Sequence, residues 1–248
     1  MLDHPDTTND FIGWLREFAI VDSTTFSETG GLVWLQEGFK IKELFCQLVA
    51  EHFQAAGFVQ VELPFFIPDK VYHTQPQHFE GLMPYTYTVN PPDGDTSCYL
   101  RTTSETPFTY LFREWVKSTF PVRVFQNIHV FRHEKKERLS TLFRSREITP
   151  FIESYTTVAN HDAAVKQAEA EIDLYSQVLN KLCVPFLLNR RPLFDTFPEA
   201  KYTVAFDVIL PDKQVYQVAT VHHLGDSFGR AFEAKTSEGI TYGRHLQE

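Results

Sequence analysis

Apolar residues along this chain recur at two periods. Between Gly38 and Gly57, Ile41, Leu44, Phe45, Leu48, Val49 and Phe53 return every three or four positions, which lays them on one stripe of a helix, and Gly57 stands where a C-cap belongs. Phe58 to Leu63 alternates apolar and polar, the period of a strand, until Pro64 and Pro68 halt it. His73 to Asp95, rich in His, Pro and Tyr, reads as loop. Thr103-Ser104-Glu105-Thr106-Pro107 signals a helix start, with Pro107 in the first turn ahead of Leu111 and Trp115. Val122 to Glu134 reads as strand. From Asp162 to Leu182, Val165, Ala168, Ile172, Tyr175, Leu179 and Leu182 step by three and four, predicting a third helix with its charge on the outer face. Tyr202 to Leu210 and Gln214 to Val221 are β-rich runs joined by the turn Pro211-Asp212-Lys213. The sum is an α+β chain with a largely antiparallel β-sheet flanked by helices. No linker, low-complexity block or internal repeat divides residues 1–248, so they read as a single domain.

Composition adds limits. With 43% hydrophobic and 15% aromatic residues, 248 positions can bury a sizeable core. Met1 to Phe11 is polar and acidic, without the basic and then apolar run of a signal peptide, and no apolar run nears the roughly 20 residues of a membrane helix. A soluble, cytoplasmic protein without a membrane partner is expected. Cys46, Cys98 and Cys183 are odd in number and scattered, which predicts reduced core thiols in place of a disulfide framework or a CxxC metal knuckle. A net charge of -9 argues against gripping nucleic acid by charge alone, so any RNA contact is expected to be local.

The most unusual chemistry lies in Phe131-Arg132-His133-Glu134, the basic loop Lys135 to Phe143, and Arg144-Ser145-Arg146-Glu147. Arg132 and Glu134, two apart, share one face of the predicted strand, with further cations in the loop and on the return. A polyphosphate suits this layout, because a fixed guanidinium takes one phosphate bidentately while loop cations take the distal ones. An exposed, salt-bridged hairpin fits the same pattern. No HExxH or EF-hand pattern occurs, so no metal beyond one arriving with a nucleotide is expected.

Phe131 to Glu134 with Arg144 resembles motif 2 of the class II aminoacyl-tRNA synthetases. Arg101-Thr102-Thr103-Ser104-Glu105-Thr106 resembles the TSE loop of the prolyl enzymes of archaeal and eukaryotic type. Phe197 to Asp207 and Gln217-Val218-Ala219-Thr220-Val221-His222-His223-Leu224-Gly225 are similar to the strands and HxLG-like turn that complete the family's pocket. The helix from Gly38 and the strand ending at Pro64 resemble motif 1, the family's dimer interface. These segments fall in family order between Asp10 and Lys235.

The resemblance implies ATP-dependent activation of an amino acid, proline, to an aminoacyl adenylate and its transfer to tRNA, with ATP and Mg2+, by a homodimer. It implies that Thr103 and Glu105 receive the substrate ammonium, since a buried cation needs a carboxylate and oxygen acceptors; the alternative for Glu105 is a capping-box acid. Arg132 would touch both the substrate carboxylate and the α-phosphate and is the catalytic candidate; its alternative is an ion pair with Glu134 or Glu147. Glu134 would accept from the adenine amino group, and Arg144, or Arg146 in its place, would hold phosphates with Ser145. Gln217 and Thr220 would position ribose, phosphates or Mg2+, unless they are solvent-facing strand residues. His222 would line the amino-acid pocket with Phe151 and Tyr155, unless it is a satisfied structural imidazole. The reaction needs no protein nucleophile, because the amino acid's own carboxylate attacks the α-phosphorus.

Two departures stand out. Tyr155 occupies a position where the prolyl pattern usually has His, so either the pocket is reshaped for another small amino or imino acid or proline is still bound. No segment among residues 1–248 matches the GxxxR and glycine-rich helix of motif 3 or the family's anticodon-binding domain. The expectation is a catalytic core incomplete at its C-terminal end, with Arg244 unable to replace the motif 3 arginine. A synthetase paralogue that transfers the adenylate to a non-tRNA acceptor, and a non-catalytic binding or regulatory module, fit the same residues.

Overall fold

The computed structural model describes residues 8–74, 80–94, 96–135, 145–210, 213–236 and 239–247. In chain order its main elements are α1 (Thr8–Glu17), β1 (Val21–Asp22), β2 (Val33–Trp34), α2 (Gln36–Ala55), β3 (Val59–Gln60), β4 (Phe66–Pro68), α3 (Asp69–Tyr72), β5 (Thr88–Val89) and β6 (Cys98–Leu100). There follow α4 (Glu105–Trp115), β7 (Val122–Phe131), β8 (Glu147–Val158), α5 (His161–Lys181), β9 (Leu187–Arg190), β10 (Tyr202–Ile209), β11 (Val215–Gly225), α6 (Ser227–Ala231), β12 (Lys235–Thr236), β13 (Gly239–Ile240) and β14 (Tyr242–Gln247).

A seven-stranded sheet, β3-β7-β8-β14-β11-β10-β9, organises the chain. It is antiparallel except where β3 runs parallel to β7, confirming the largely antiparallel α+β reading. The side-chain period of two gives the sheet two unlike faces. On one, α2 and α5 bury Val49, Phe53, Tyr175 and Val178 against Phe125, Ile152, Phe206 and Val221. On the other, Phe108 and Phe112 of α4 and Phe228 of α6 pack on Val122, Val124, Tyr155 and Leu224. The remainder of that second face carries the polar residues described below.

Several elements differ from the sequence reading. The strand expected over Phe58 to Leu63 is only Val59–Gln60, because the chain peels away: Val61 N still reaches Phe125 O at 2.9 Å, but Leu63 N turns to the side chain of Gln126. The strand expected to reach Glu134 ends at Phe131, where the Arg132 N bond to Arg146 O (2.9 Å) is followed by a tight turn from Glu134 N to Arg132 O (2.8 Å). Arg132 and Glu134 therefore lie in a turn, not on one strand face. Thr88–Val89 is a strand inside the expected loop. Ile41 and Leu44, counted with the core stripe of α2, are exposed, because only the C-terminal half of that helix lies on the sheet and α5. Cys46 and Cys98 are half-buried, Cys46 packing against the core, and Cys183 is exposed, so none is fully buried and Cys183 is not a core thiol. Of the expected turn, Pro211 and Asp212 lie outside the described residues, while Lys213 has the left-handed φ of 63° that closes it.

Candidate active site

The segment leading into α4 is fixed from below. Arg101 has no exposed surface; its Nη1 donates to Leu63 O at 2.9 Å, its N to Phe65 O at 3.0 Å, and its O accepts from Phe131 N at 2.8 Å. Burial pulls its pKa down, opposed chiefly by the negative charge of Glu153, but a guanidinium stays charged at any physiological pH. Buried Glu153 accepts from Gln126 Nε2 at 2.6 Å, and the same nitrogen reaches Ser104 Oγ at 3.2 Å. A buried charge with these partners anchors the loop to β7 and β8.

On that base, Thr103 donates its hydroxyl to the carboxylate of Glu105, both side chains being buried. The N-cap of α4 is Ser104 and it makes no side-chain cap bond, so Glu105 sits inside the first turn and is not the acid of a capping box. Beneath it lies Tyr155, its ring 4.2 Å from that of Phe108. Burial, then the negative charges of Glu105 and Glu153, hold the phenol pKa well above 10.0, so Tyr155 is a neutral phenol lying against that carboxylate.

Across the sheet, His222 is buried between Thr203 Oγ1 (2.8 Å from Nδ1) and Thr220 Oγ1 (3.0 Å from Nε2), with the ring of Phe197 at 4.6 Å. Both imidazole nitrogens have hydroxyl partners, which is the satisfied environment of a structural histidine on the same face as the site. Gln217 and Thr220, three apart, would point to opposite faces of a regular strand. A bulge at Val218, where β10 pairs Phe206 with Ala219 and then Asp207 with Gln217, returns Gln217 to the face of Thr220 and His222. Gln217 is exposed and its Oε1 accepts from Arg191 Nη2 at 3.2 Å, whereas Thr220 is buried.

Arg132 sends Nε to Thr102 O at 3.0 Å and stacks its guanidinium 5.6 Å from the ring centroid of Phe151. Glu147, one of the two acids considered as its ion-pair partner, takes His129 at 2.7 Å. Glu134 is buried beside this turn. Ser145 is also buried and donates to Glu147 O. Arg146 spends Nε on Glu134 O at 3.1 Å and Nη1 on Glu28 O at 3.4 Å, so its guanidinium braces the turn. Arg144 lies outside the described residues, and so does the side chain of Arg244.

The site face thus brings together Thr103, Glu105, Arg132, Phe151, Thr220, His222 and Gln217, with Tyr155 below. Sequence reasoning gave no role to Gln126 and Glu153, which support it, or to Arg191 and Asp207, because spacing along the chain carries no trace of those pairings. Among the described residues no group of three His, Cys, Asp or Glu side chains could hold a metal ion. The Gln217 oxygen, offered above as a possible Mg2+ contact, already faces a guanidinium, so the residues present do not fit a protein-held ion there.

Residues 87–242 match the tRNA synthetase class II core domain (G, H, P, S and T). A proline--tRNA ligase of Sulfurisphaera tokodaii is 36% identical over 233 residues, 92% of this chain and 48% of that one. That of Sulfolobus acidocaldarius is 34% identical over 236 residues, 92% of this chain and 49% of that one. The chain spans about half the length of these relatives. The structure of Giardia lamblia prolyl-tRNA synthetase in complex with prolyl-adenylate superposes with a TM-score of 0.90 at 26% identity, over 100% of this chain and 51% of that one. Prolyl-tRNA synthetase from Cryptosporidium parvum complexed with halofuginone and AMPPNP, 18% identical with a TM-score of 0.86 over 100% of this chain and 51% of that one, shares the fold. With a family model matched through the sheet, the loop before α4 and the turn after β7, this chain belongs to the class II tRNA synthetase core domain family.

Proposed function

We propose that this protein activates proline with ATP to prolyl adenylate and transfers the prolyl group to tRNA. The observation that carries it is the buried Thr103–Glu105 pair, backed by Tyr155, on the same face as Arg132, Thr220 and His222. A small substrate with one ammonium and one carboxylate meets Glu105 at one end and Arg132 at the other. The carboxylate oxygen then attacks the α-phosphorus in line, the bond from that phosphorus to the bridging oxygen breaks, and pyrophosphate leaves. No proton need move, so the chain's work is positioning and charge stabilisation. Thr103 and Glu105 take the ammonium, Arg132 the carboxylate and α-phosphate, and Phe151, Tyr155 and His222 shape the pocket. Glu134 faces adenine, and Arg144 and Ser145 the nucleotide's phosphates. Gln217 and Thr220 take the ribose and phosphates, with Mg2+ arriving on ATP.

The relatives support proline and tRNA over other substrates, since those matched are named proline--tRNA ligases and one neighbour holds prolyl-adenylate. The unit is a homodimer through α2, whose Phe39, Ile41 and Leu44 are exposed. A cavity of about 830 Å3 lined by Phe26, Phe39, Lys42 and His129 lies outside the Thr103–Glu105 pocket, beside that helix. The protein works in the cytoplasm; no helix among the described residues is long and apolar enough to cross a membrane. ATP–pyrophosphate exchange with a panel of amino acids tests the reading. Exchange strongest with proline supports it, and a folded, full-length protein that shows none with any amino acid would sink it.

A further inference from the structure

Arg191 follows β9 and is held on the site face, yet nothing above gives it a role. Its N donates to Thr203 O at 2.9 Å, which sets it opposite the Thr203 that supports His222. Its Nη2 donates to Asp207 Oδ1 at 2.7 Å and to Gln217 Oε1 at 3.2 Å, while Asn189 Nδ2 donates to the other Asp207 oxygen at 2.7 Å. The Asp207 side chain is 2% exposed and that of Arg191 22%. Asp195, 3.6 Å from Nε, is 59% exposed and screened by water. Nη1 makes no hydrogen bond among the described residues. A purely structural pair would lay the guanidinium fork on both carboxylate oxygens. Here a single nitrogen serves both partners, and one edge of the cation is left over.

The ladder places that edge. Glu153, Gln247 and Thr220 form one row across β8, β14 and β11. Phe151 lies one step beyond this row on β8 and Gln217, because of the bulge, one step beyond it on β11, in the same direction. Arg132 lies over Phe151 and Arg191 bonds Gln217, so two guanidinium groups flank a strip of the site face about 10 Å wide, two strand spacings.

We propose that Arg191 is a phosphate-binding residue of this site, its guanidinium meeting the β- and γ-phosphates of ATP while Arg132 holds the α-phosphate. The inference rests on the ATP reading above. Buried Asp207 orients the fork, and Gln217, instead of ligating a divalent ion, serves as the second strut of a cation built into the chain. The pyrophosphate that leaves is then stabilised by a charge already in place.

The test is calorimetric titration of the full-length protein with AMPPNP and with AMP, in wild type, Arg191→Gln and Arg191→Lys. In R191Q, affinity for AMPPNP falls roughly tenfold or more, the worth of a charge-assisted contact, while affinity for AMP is unchanged. R191K keeps a cation without the fork and recovers part of the loss. Unchanged AMPPNP affinity in R191Q, or equal loss for both nucleotides, would show that Arg191 only braces Asp207 and overturns the proposal. If R191Q melts too low to titrate, the AMPPNP-to-AMP affinity ratio of R191K decides, and a wild-type ratio there overturns it. A wild-type protein that binds neither nucleotide overturns the ATP reading and this inference with it, whereas the first two outcomes leave that reading intact.

Discussion

Glu105 has no exposed surface, and the features that make a buried carboxylate tolerable are those that fit it to a substrate ammonium. It sits in the first turn of α4, where the helix dipole favours negative charge, it accepts the Thr103 hydroxyl proton, and the neutral phenol of Tyr155 lies beneath it. The Thr103 hydroxyl at its flank helps fix the orientation of the carboxylate. Glu105→Gln keeps the shape and removes the charge, so amino-acid-dependent exchange should fall at least roughly a hundredfold, the cost of a desolvated ammonium without its counter-charge, with AMPPNP affinity unchanged by titration. Tyr155→Phe is subtler. The ring keeps its contacts with Phe108 and Phe112, and only the neutral hydroxyl packed beneath Glu105 is lost. KM for the amino acid should rise about tenfold with kcat nearly constant, a split that a general loss of folding would not produce.

The elements divide by how much of their logic is local. α2, α4 and α5 were legible because a stripe at helical spacing is written in the chain itself, and the β10–β11 hairpin because its strands are apolar and joined by a turn. β8 was not. Its buried polar residues find partners far along the chain, Glu153 with Gln126 and Ser154 and Thr156 with Glu171 of α5, and Pro150 interrupts the run where the ladder to β7 shifts register. The same limit governed the site: Thr103, Glu105 and Arg132 came from motifs, but the shared face of Gln217 and Thr220 depends on a bulge no periodicity reports, and Arg191–Asp207 on a pairing between strands. Helix α2 shows a third case, since its period is correct while its burial changes halfway. Ile41 is 56% and Leu44 59% exposed, an apolar surface awaiting a partner. Ile41→Glu with Leu44→Glu should convert the proposed dimer to monomer in sedimentation velocity while leaving the thermal transition nearly in place, because neither side chain is buried in the chain's own core. A monomeric wild type, or a dimeric double variant, would refute the α2 interface.

At the scale of the whole molecule, the site is built on a core that is unusually polar on one side. Arg101, Glu105, Gln126 and Glu153 are all buried between α4 and the sheet, and two phenols, Tyr72 and Tyr155, are buried with them. Burial is the leading cause that raises Tyr72 from 10.0 to about 12, and it raises Tyr155 well above 10.0. With acidic neighbours in place the neutral phenol is the compatible form, so both rings keep their protons in the folded state after the unfolded chain has released them. The sign follows directly: their contribution is complete below pH 10, and stability falls as pH rises from the unfolded value toward the folded ones, by about 1.4 kcal/mol per pH unit for each phenol that remains protonated only in the fold. Denaturant melts taken between pH 10 and pH 12 should therefore show stability falling as pH rises, and Tyr155→Phe should reduce that slope by up to about one proton, since phenylalanine does not titrate. A slope unchanged by that substitution would mean that Tyr155 ionises as freely as a solvent-exposed phenol, which is incompatible with a closed floor beneath Glu105.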